Sequence, residues 1–266
     1  MNIDTYEAEG VRAATRAGGY LLERFRTDFA VLHKGAIDLV TEVDVASEEM
    51  ITAGIAAAFP DHSILAEEKH AGGVRGRCTW IIDPLDGTTN YAHGFPFFSV
   101  SIGLEIDGRV ELGIVFDPVR KELFKARRGE GAFCNGEPLR VSDTGDVGAG
   151  LLATGFPYDI RTSRENNLDH FRAFALAAQG LRRTGSAALD LCYVAAGRLD
   201  GFWESKLNPW DCAAGFLMVT ESGGRVTGYE GQPVTIYDAE VAASNGRIHE
   251  QMIALLGDLP CAGIPR

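Results

Sequence analysis

Cysteine is scarce and poorly placed for cross-linking. The five that occur, Cys78, Cys134, Cys192, Cys212 and Cys261, are odd in number and form no CxxC pair. A disulfide framework and a structural zinc site are therefore not expected. The six histidines fall in no HExxH-like spacing, which removes the common helical zinc motif. No apolar run is long enough to span a bilayer. Asp4, Glu7 and Glu9 precede any apolar run, unlike a secretory signal. These absences together predict a reducing, cytoplasmic setting. Basic residues are also in short supply, 25 against 37 acidic ones, for a formal net charge of −12. That deficit argues against a general nucleic-acid binder, which needs a basic footprint. There is no GxxxxGK[ST] loop, and so no sign of an NTPase.

What is present is an ordinary globular composition, 45% apolar and 23% charged over 266 residues. That length suits one large domain or two modest ones. Its most informative stretch is DPLDGTTN, Asp83 to Asn90, directly after the apolar run Trp80-Ile81-Ile82. Pro84 and Gly87 allow a sharp turn, so the Asp83 and Asp86 carboxylates can curl towards one point. Crowded carboxylates repel each other, and a protein that keeps them close commonly binds a hard cation there or tunes one as an acid. Gly87, Thr88 and Thr89 offer N–H groups and hydroxyls that suit a phosphate. A surface Asp/Pro/Gly turn is the plain alternative, weakened by the apolar run before it. Two other phosphatase schemes fit poorly. The aspartyl-nucleophile type needs DxDGT, whereas the spacing here is DxxDGT. Cys134 to Arg140 matches C-x5-R, but Glu137 would repel an anion and Pro138 removes a donor.

Periodicity predicts a helix from about Asp4 to Phe29 with Asp4 and Glu7 as its capping box, a loop at Lys34 to Ile37, and a helix from about Asp44 to Phe59. Strands are expected at Ser63 to Ala66 and Thr79 to Ile82. Phe98 to Ile106 and Arg109 to Phe116 read as a hairpin turning at Asp107-Gly108. Glu122 to Arg127 and Gly129 to Gly136 extend the antiparallel pairing. The polar, glycine-rich Ser142 to Gly150 is the best candidate boundary. It divides an N-terminal α+β domain (1–145) from a C-terminal α/β domain (146–266). The second half is expected to hold a strand at Leu151 to Thr154 and a helix at Asn166 to Gln179 with Leu168, Phe171 and Phe174 inward. A small-residue helix at Ser186 to Ala196, a strand at Leu199 to Trp203, a helix opened by Pro209, strands near Arg225 and Val241, and a helix from His249 to Leu256 follow.

Glu67-Glu68, Asp44 and Trp210-Asp211 are further acidic positions. Each has a bland reading as a solvated strand end or a helix-dipole partner. In this order, with these neighbours, the acidic clusters resemble the inositol monophosphatase family. The matching pieces are DLVTEVD (Asp38 to Asp44), AEE (Ala66 to Glu68), WIIDPLDGTTNYAHGFPFFSVSIGL (Trp80 to Leu104), GAFCNG (Gly131 to Gly136), RRTGSAALDLCYVAAGRLDGFWE (Arg182 to Glu204) and PWDCAAG (Pro209 to Gly215). The RRTGSAALDL stretch is most similar to the bacterial branch.

The resemblance implies a layered αβαβα sandwich, a homodimer, frequent lithium inhibition, and Mg²⁺-dependent hydrolysis of myo-inositol monophosphate. By the same resemblance, Glu67, Asp83 and the Leu85 carbonyl would hold one Mg²⁺. Asp83, Asp86 and Asp211 would hold a second, and Glu67 would help with a third through water. Asp44 and Thr88 would activate the attacking water. Gly87 and Thr88 would grip the phosphate. Asp86, Gly185, Ser186, Ala187, Glu204 and Asp211 would face the alcohol. Lys34 is a candidate cover for the site, or a solvated surface lysine. Relatives act on fructose 1,6-bisphosphate, histidinol phosphate or 3′-phosphoadenosine 5′-phosphate, and some bacterial ones join transcription complexes. No membrane and no direct nucleic-acid contact are expected. All-oxygen ligands suit Mg²⁺ over zinc.

Overall fold

The computed structural model describes residues 2–33, 39–69 and 75–257. The expectations at Lys34 and at Asp38 lie outside these residues. The first helix, α1 (Ile3–Arg24), is capped by Asn2, whose side chain accepts from the Asp4 N–H. The expected Asp4/Glu7 capping box is thus replaced: Glu7 instead takes Lys125 Nζ at 2.6 Å and Arg127 Nε at 2.5 Å. α1 also ends five residues before Phe29. The short strands β1 (Val31–His33) and β2 (Leu39–Thr41) pair with each other, and α2 (Glu42–Ala58) begins straight from Thr41.

A seven-stranded sheet follows. β3 (Ser63–Ala66) runs parallel to β4 (Cys78–Asp86), which is buried along its whole length. After β4 comes one turn of helix, α3 (Thr88–Ala92), which periodicity over so short a span could not signal. β5 (Ser99–Ile106), β6 (Arg109–Asp117), β7 (Glu122–Arg127), β8 (Gly131–Cys134) and β9 (Glu137–Pro138) then continue the sheet antiparallel in sequence order. The Asp107-Gly108 turn has positive φ at both residues, 51° and 80°, the hairpin geometry that this dipeptide favours.

A five-stranded sheet forms from the rest of the chain, in the order β11 (Gly180–Arg182), β10 (Leu151–Thr154), β12 (Gly201–Ser205), β14 (Glu240–Ser244), β13 (Arg225–Thr227). β10 is parallel to both its neighbours; the other pairs are antiparallel. β12 lies two residues later than periodicity placed it. The helices here are α4 (Leu168–Ala177), α5 (Ala187–Ala195), α6 (Pro209–Glu221) and α7 (His249–Gly257). α4 is shorter than expected, and of its three supposed inward residues only Phe174 is buried; Leu168 is 48% exposed. The helix presents a narrow contact to the sheet, through Phe174 stacked on Trp203.

Three apolar clusters order the layers. One joins α1 and α2 to a face of the large sheet. The largest lies between the two sheets around α5 and α6. The third covers the far face of the small sheet with α4 and α7. The result is the αβαβα sandwich. Its middle layer is unusually tight: a Cβ on Gly113 would come within 2.9 Å of the Ala214 carbonyl oxygen. Any side chain there would push α6 off the sheet.

Candidate active site

β4 runs straight through its buried span and then breaks register with β5 between Asp83 and Asp86. That bulge turns both carboxylates towards the end of the large sheet. Ser47 on α2 donates to the Pro84 carbonyl at 2.8 Å, pinning the bend. Asp83 accepts the Leu85 N–H at 3.0 Å. Gly87 has φ 96°, and a Cβ on it would stand 3.0 Å from the Phe97 carbonyl oxygen. Both backbone sign and space therefore demand glycine there.

Two flanking carboxylates are fixed in the same way. Asp44 is the third helical residue of α2 and Asp211 the third of α6, each in a capping box. One Asp44 oxygen accepts from Thr41 N–H at 2.9 Å while the other faces Thr88 Oγ1 at 2.8 Å. One Asp211 oxygen accepts from Asn208 N–H at 2.6 Å, and the Asn208 side chain engages the same carboxylate, which borders the cleft. Local pattern offered a dipole role at these helix starts and the resemblance a catalytic or metal-binding one; the capping boxes hold both carboxylates in place. Thr88 Oγ1 is also 3.0 Å from the Leu85 carbonyl, so one hydroxyl proton lies between two acceptors.

Glu67 follows β3, and its N–H reaches the Ile82 carbonyl at 3.3 Å. Glu48, fully buried, accepts from the N–H groups of Glu68 and Lys69 at 2.6 and 2.9 Å, which holds that turn against α2. Asp86 takes the Ala188 N–H at 2.9 Å and the Ser186 hydroxyl at the start of α5. Asn90 donates to the carbonyls of Phe97 and Thr184 at 2.7 and 2.8 Å. These bonds carry the Gly185 turn to the foot of Asp86.

The cleft is a cavity of about 300 Å³ bordered by Asp86, Thr88, Ser186, Glu204 and Asp211, with Gly87, Gly185 and Ala187 also in its wall. Asp44, Glu67, Asp83 and Leu85 do not border it; Asp44 and the Leu85 carbonyl meet its wall through the Thr88 hydroxyl. Glu204 projects from β12 over Gly155, where a Cβ would fall 2.0 Å from Glu204 Oε1. Asp190 on α5 borders the cleft too, with both oxygens 2.6 Å from the Thr184 hydroxyl. Ser47, Glu48, Gly155 and Asp190 were invisible as site residues in the sequence, since each acts through a tertiary contact.

Electrostatics binds the acids into one unit. Burial raises the Asp83 carboxyl well above the usual range, and Glu67, Asp86 and Asp211 push it further. Burial lifts Asp86 to about 6 against its hydrogen bonds from Ser186 and Ala188. Asp211 rises to about 7 through burial, with Asp86 and Glu204 adding to it. Glu204 rises to about 8 through burial and then Asp190. Asp44 is raised by burial. Such a set is electrostatically incomplete without positive charge.

Among the described residues no group of three Asp, Glu, His or Cys side chains is already arranged to hold a metal ion. The donor chemistry nevertheless fits a hard divalent cation. The charges acting most strongly on Asp83 are all acidic, the donors are all oxygen, and one carboxylate oxygen of Asp211 is already pinned by its own helix. That combination suits Mg²⁺ rather than a soft metal.

An αβαβα sandwich with acids gathered at the end of a buried strand defines a phosphatase class of fold and site. The chain belongs to the inositol monophosphatase family, whose model matches residues 2–260. It is 42% identical over 261 residues to an inositol-1-monophosphatase from Synechocystis, covering 97% of this chain and 91% of that protein. It is 43% identical over 251 residues to the Nus factor SuhB of Escherichia coli K12, covering 93% and 94%. The solved inositol monophosphatase of Anabaena superposes with a TM-score of 0.88 at 42% identity, covering 98% of each chain.

Proposed function

We propose that this protein is a Mg²⁺-dependent phosphomonoesterase that releases phosphate from myo-inositol monophosphate. The observation that carries the reading is the electrostatic coupling of Asp83 to Glu67, Asp86 and Asp211, the last two of which border a cleft walled by Thr88 and Glu204. Glu67, Asp83 and the Leu85 carbonyl would hold one Mg²⁺, Asp83, Asp86 and Asp211 a second, with Glu67 assisting a third. Bound there, Mg²⁺ would neutralise the acids and the phosphate and favour ionisation of water. The Thr88 hydroxyl and Asp44, already 2.8 Å apart, orient the attacking water and take its proton. Gly87 and Thr88 N–H groups hold the phosphoryl oxygens. The phosphoryl group passes in line to water, the ester oxygen leaves as alkoxide, and it takes up a proton. Asp86, Ser186, Ala187, Gly185, Glu204 and Asp211 receive the alcohol's hydroxyls. Glu204 and Asp190 both border the cleft and suit the hydroxyls of a polyol, which supports a polyol monophosphate as substrate.

The deciding measurement is phosphate release from inositol, sugar, histidinol and nucleotide phosphates, with and without Mg²⁺. Inositol monophosphate should turn over fastest, and only with the metal. No release from any inositol phosphate across a range of pH would reject the reading. Several relatives carry the name Nus factor SuhB, which supports a second role in a transcription complex through protein contacts. A pull-down of transcription factors that survives Asp83→Asn would separate that role from catalysis.

A further inference from the structure

A second cavity of about 290 Å³ lies beside the cleft, near the small end of the roughly 300–1,000 Å³ range of small-ligand sites. Ser205 and Lys206, at the end of β12, border both cavities. The floor of the second one is Tyr229. Tyr229 is 5% exposed, and its hydroxyl meets no hydrogen-bond partner at full geometry; Ser205 lies close enough to favour the phenolate. The hydroxyl feels both Glu204, on the cleft, and Glu240, on the second cavity. A buried phenol with no partner costs free energy that a bound hydroxyl can recover. The His170 ring meets Tyr229 edge-on, with centroids 5.2 Å apart, and its Nε2 is held by the Leu256 carbonyl at 3.1 Å.

The charge of the wall decides the ligand. Glu165, Asp169, Asp238 and Glu240 face Arg164 and Lys206. Lys206 is already bonded to Asp159 at 2.7 Å and to Ser163 at 2.8 Å. The cavity is therefore negative on balance and repels a phosphate dianion. Carboxylates accept hydroxyl protons, and an aromatic floor suits the apolar face of a ring. We propose that this cavity is a second binding site, for a neutral polyhydroxylated molecule such as a free cyclitol or sugar, in which the Tyr229 hydroxyl supplies the buried partner and Asp169 and Glu240 take the ligand's hydroxyls. The site selects an unphosphorylated polyol over its phosphate ester, the reverse of what metal-loaded acids would select next door. It rests on the cavity's own chemistry and stands whether or not the catalytic reading does.

The test is titration calorimetry of the full chain with myo-inositol, glucose and glycerol, without added metal. One polyol should bind at one site per chain. Tyr229→Phe, which keeps the ring, and Asp169→Asn, a partly exposed isosteric change, should each weaken that binding roughly three- to tenfold. Ser186→Ala, in the cleft and without influence on Tyr229, should leave it within about twofold. The melting temperatures of the variants show whether the fold is kept. Three results overturn the proposal: no saturable binding below roughly 50 mM, affinity unmoved in both Tyr229→Phe and Asp169→Asn, or binding lost in Ser186→Ala alone.

Discussion

Asp83 is a buried carboxyl whose ionisation is opposed by burial and by neighbouring acids, an arrangement that works against the fold for as long as it is bare. Replacing it should divide function from stability. Asp83→Asn is expected to lower turnover at least roughly a hundredfold, while melting no lower than the parent in EDTA, because a like-charge contact is gone. Phosphate release and calorimetry on the same sample check both halves. Gly155 makes the opposite case, a residue important for what it lacks. Gly155→Ala drives a methyl into the Glu204 carboxylate, and should raise KM several-fold with a smaller effect on kcat; steady-state kinetics on the preferred ester reads the split. The asymmetry between these two residues explains what could be read in advance. Asp83 stands in a local pattern, an apolar run and then a turn. Gly155, Ser47 and Glu48 matter only because distant elements arrive beside them, and no window of sequence contains both partners.

Among the elements, those with a complete local signature were legible. β7 carries alternating burial, the β5–β6 hairpin has its Asp-Gly turn, and α6 opens on Pro209. α1 was overrun at its C-terminal end, since Phe25 and Phe29 continue the apolar pattern after the backbone has turned extended at Phe25. They pack as separate rings on Tyr91. α7 has a device that periodicity does not reveal. His249 opens it fully buried, its two ring nitrogens 2.8 Å from the hydroxyls of Thr227 and Ser244. Burial, with Arg225 assisting, lowers its pKa from 6.5 to about 4. The folded state therefore holds this ring neutral where the unfolded chain would protonate it. The stability this contributes is complete above pH 6.5 and is lost as pH falls towards about 4. The urea midpoint of the parent should fall relative to that of His249→Gln across that window, a comparison that removes the opposing contribution of the raised carboxyls at the cleft; at pH 7 the variant gives up about 1–2 kcal/mol of hydrogen bonding.

On the scale of the whole molecule, the layering followed from the resemblance rather than from periodicity. Local patterns gave strands and helices but not which sheet each joined; β11 and β10 are parallel partners separated by α4. The acids gathered at the junction of the layers make a global prediction. Mg²⁺ should raise the melting temperature of the entire fold, with a gain of about 2.7 kcal/mol at a hundredfold excess over its Kd. Asp83→Asn should lose most of that gain. A thermal shift series against Mg²⁺ concentration, with no substrate present, makes the comparison.

The tight seat of α6 on Gly113 has a consequence for how the site is assembled. Asp211 rides on that helix, while Asp83 and Asp86 end a strand made far earlier in the chain. Asp211 can stand near Asp83 and Asp86 only when the two backbones have closed to contact. On the proposed reading, a chain truncated before Pro209 would carry the acidic turn and release no phosphate.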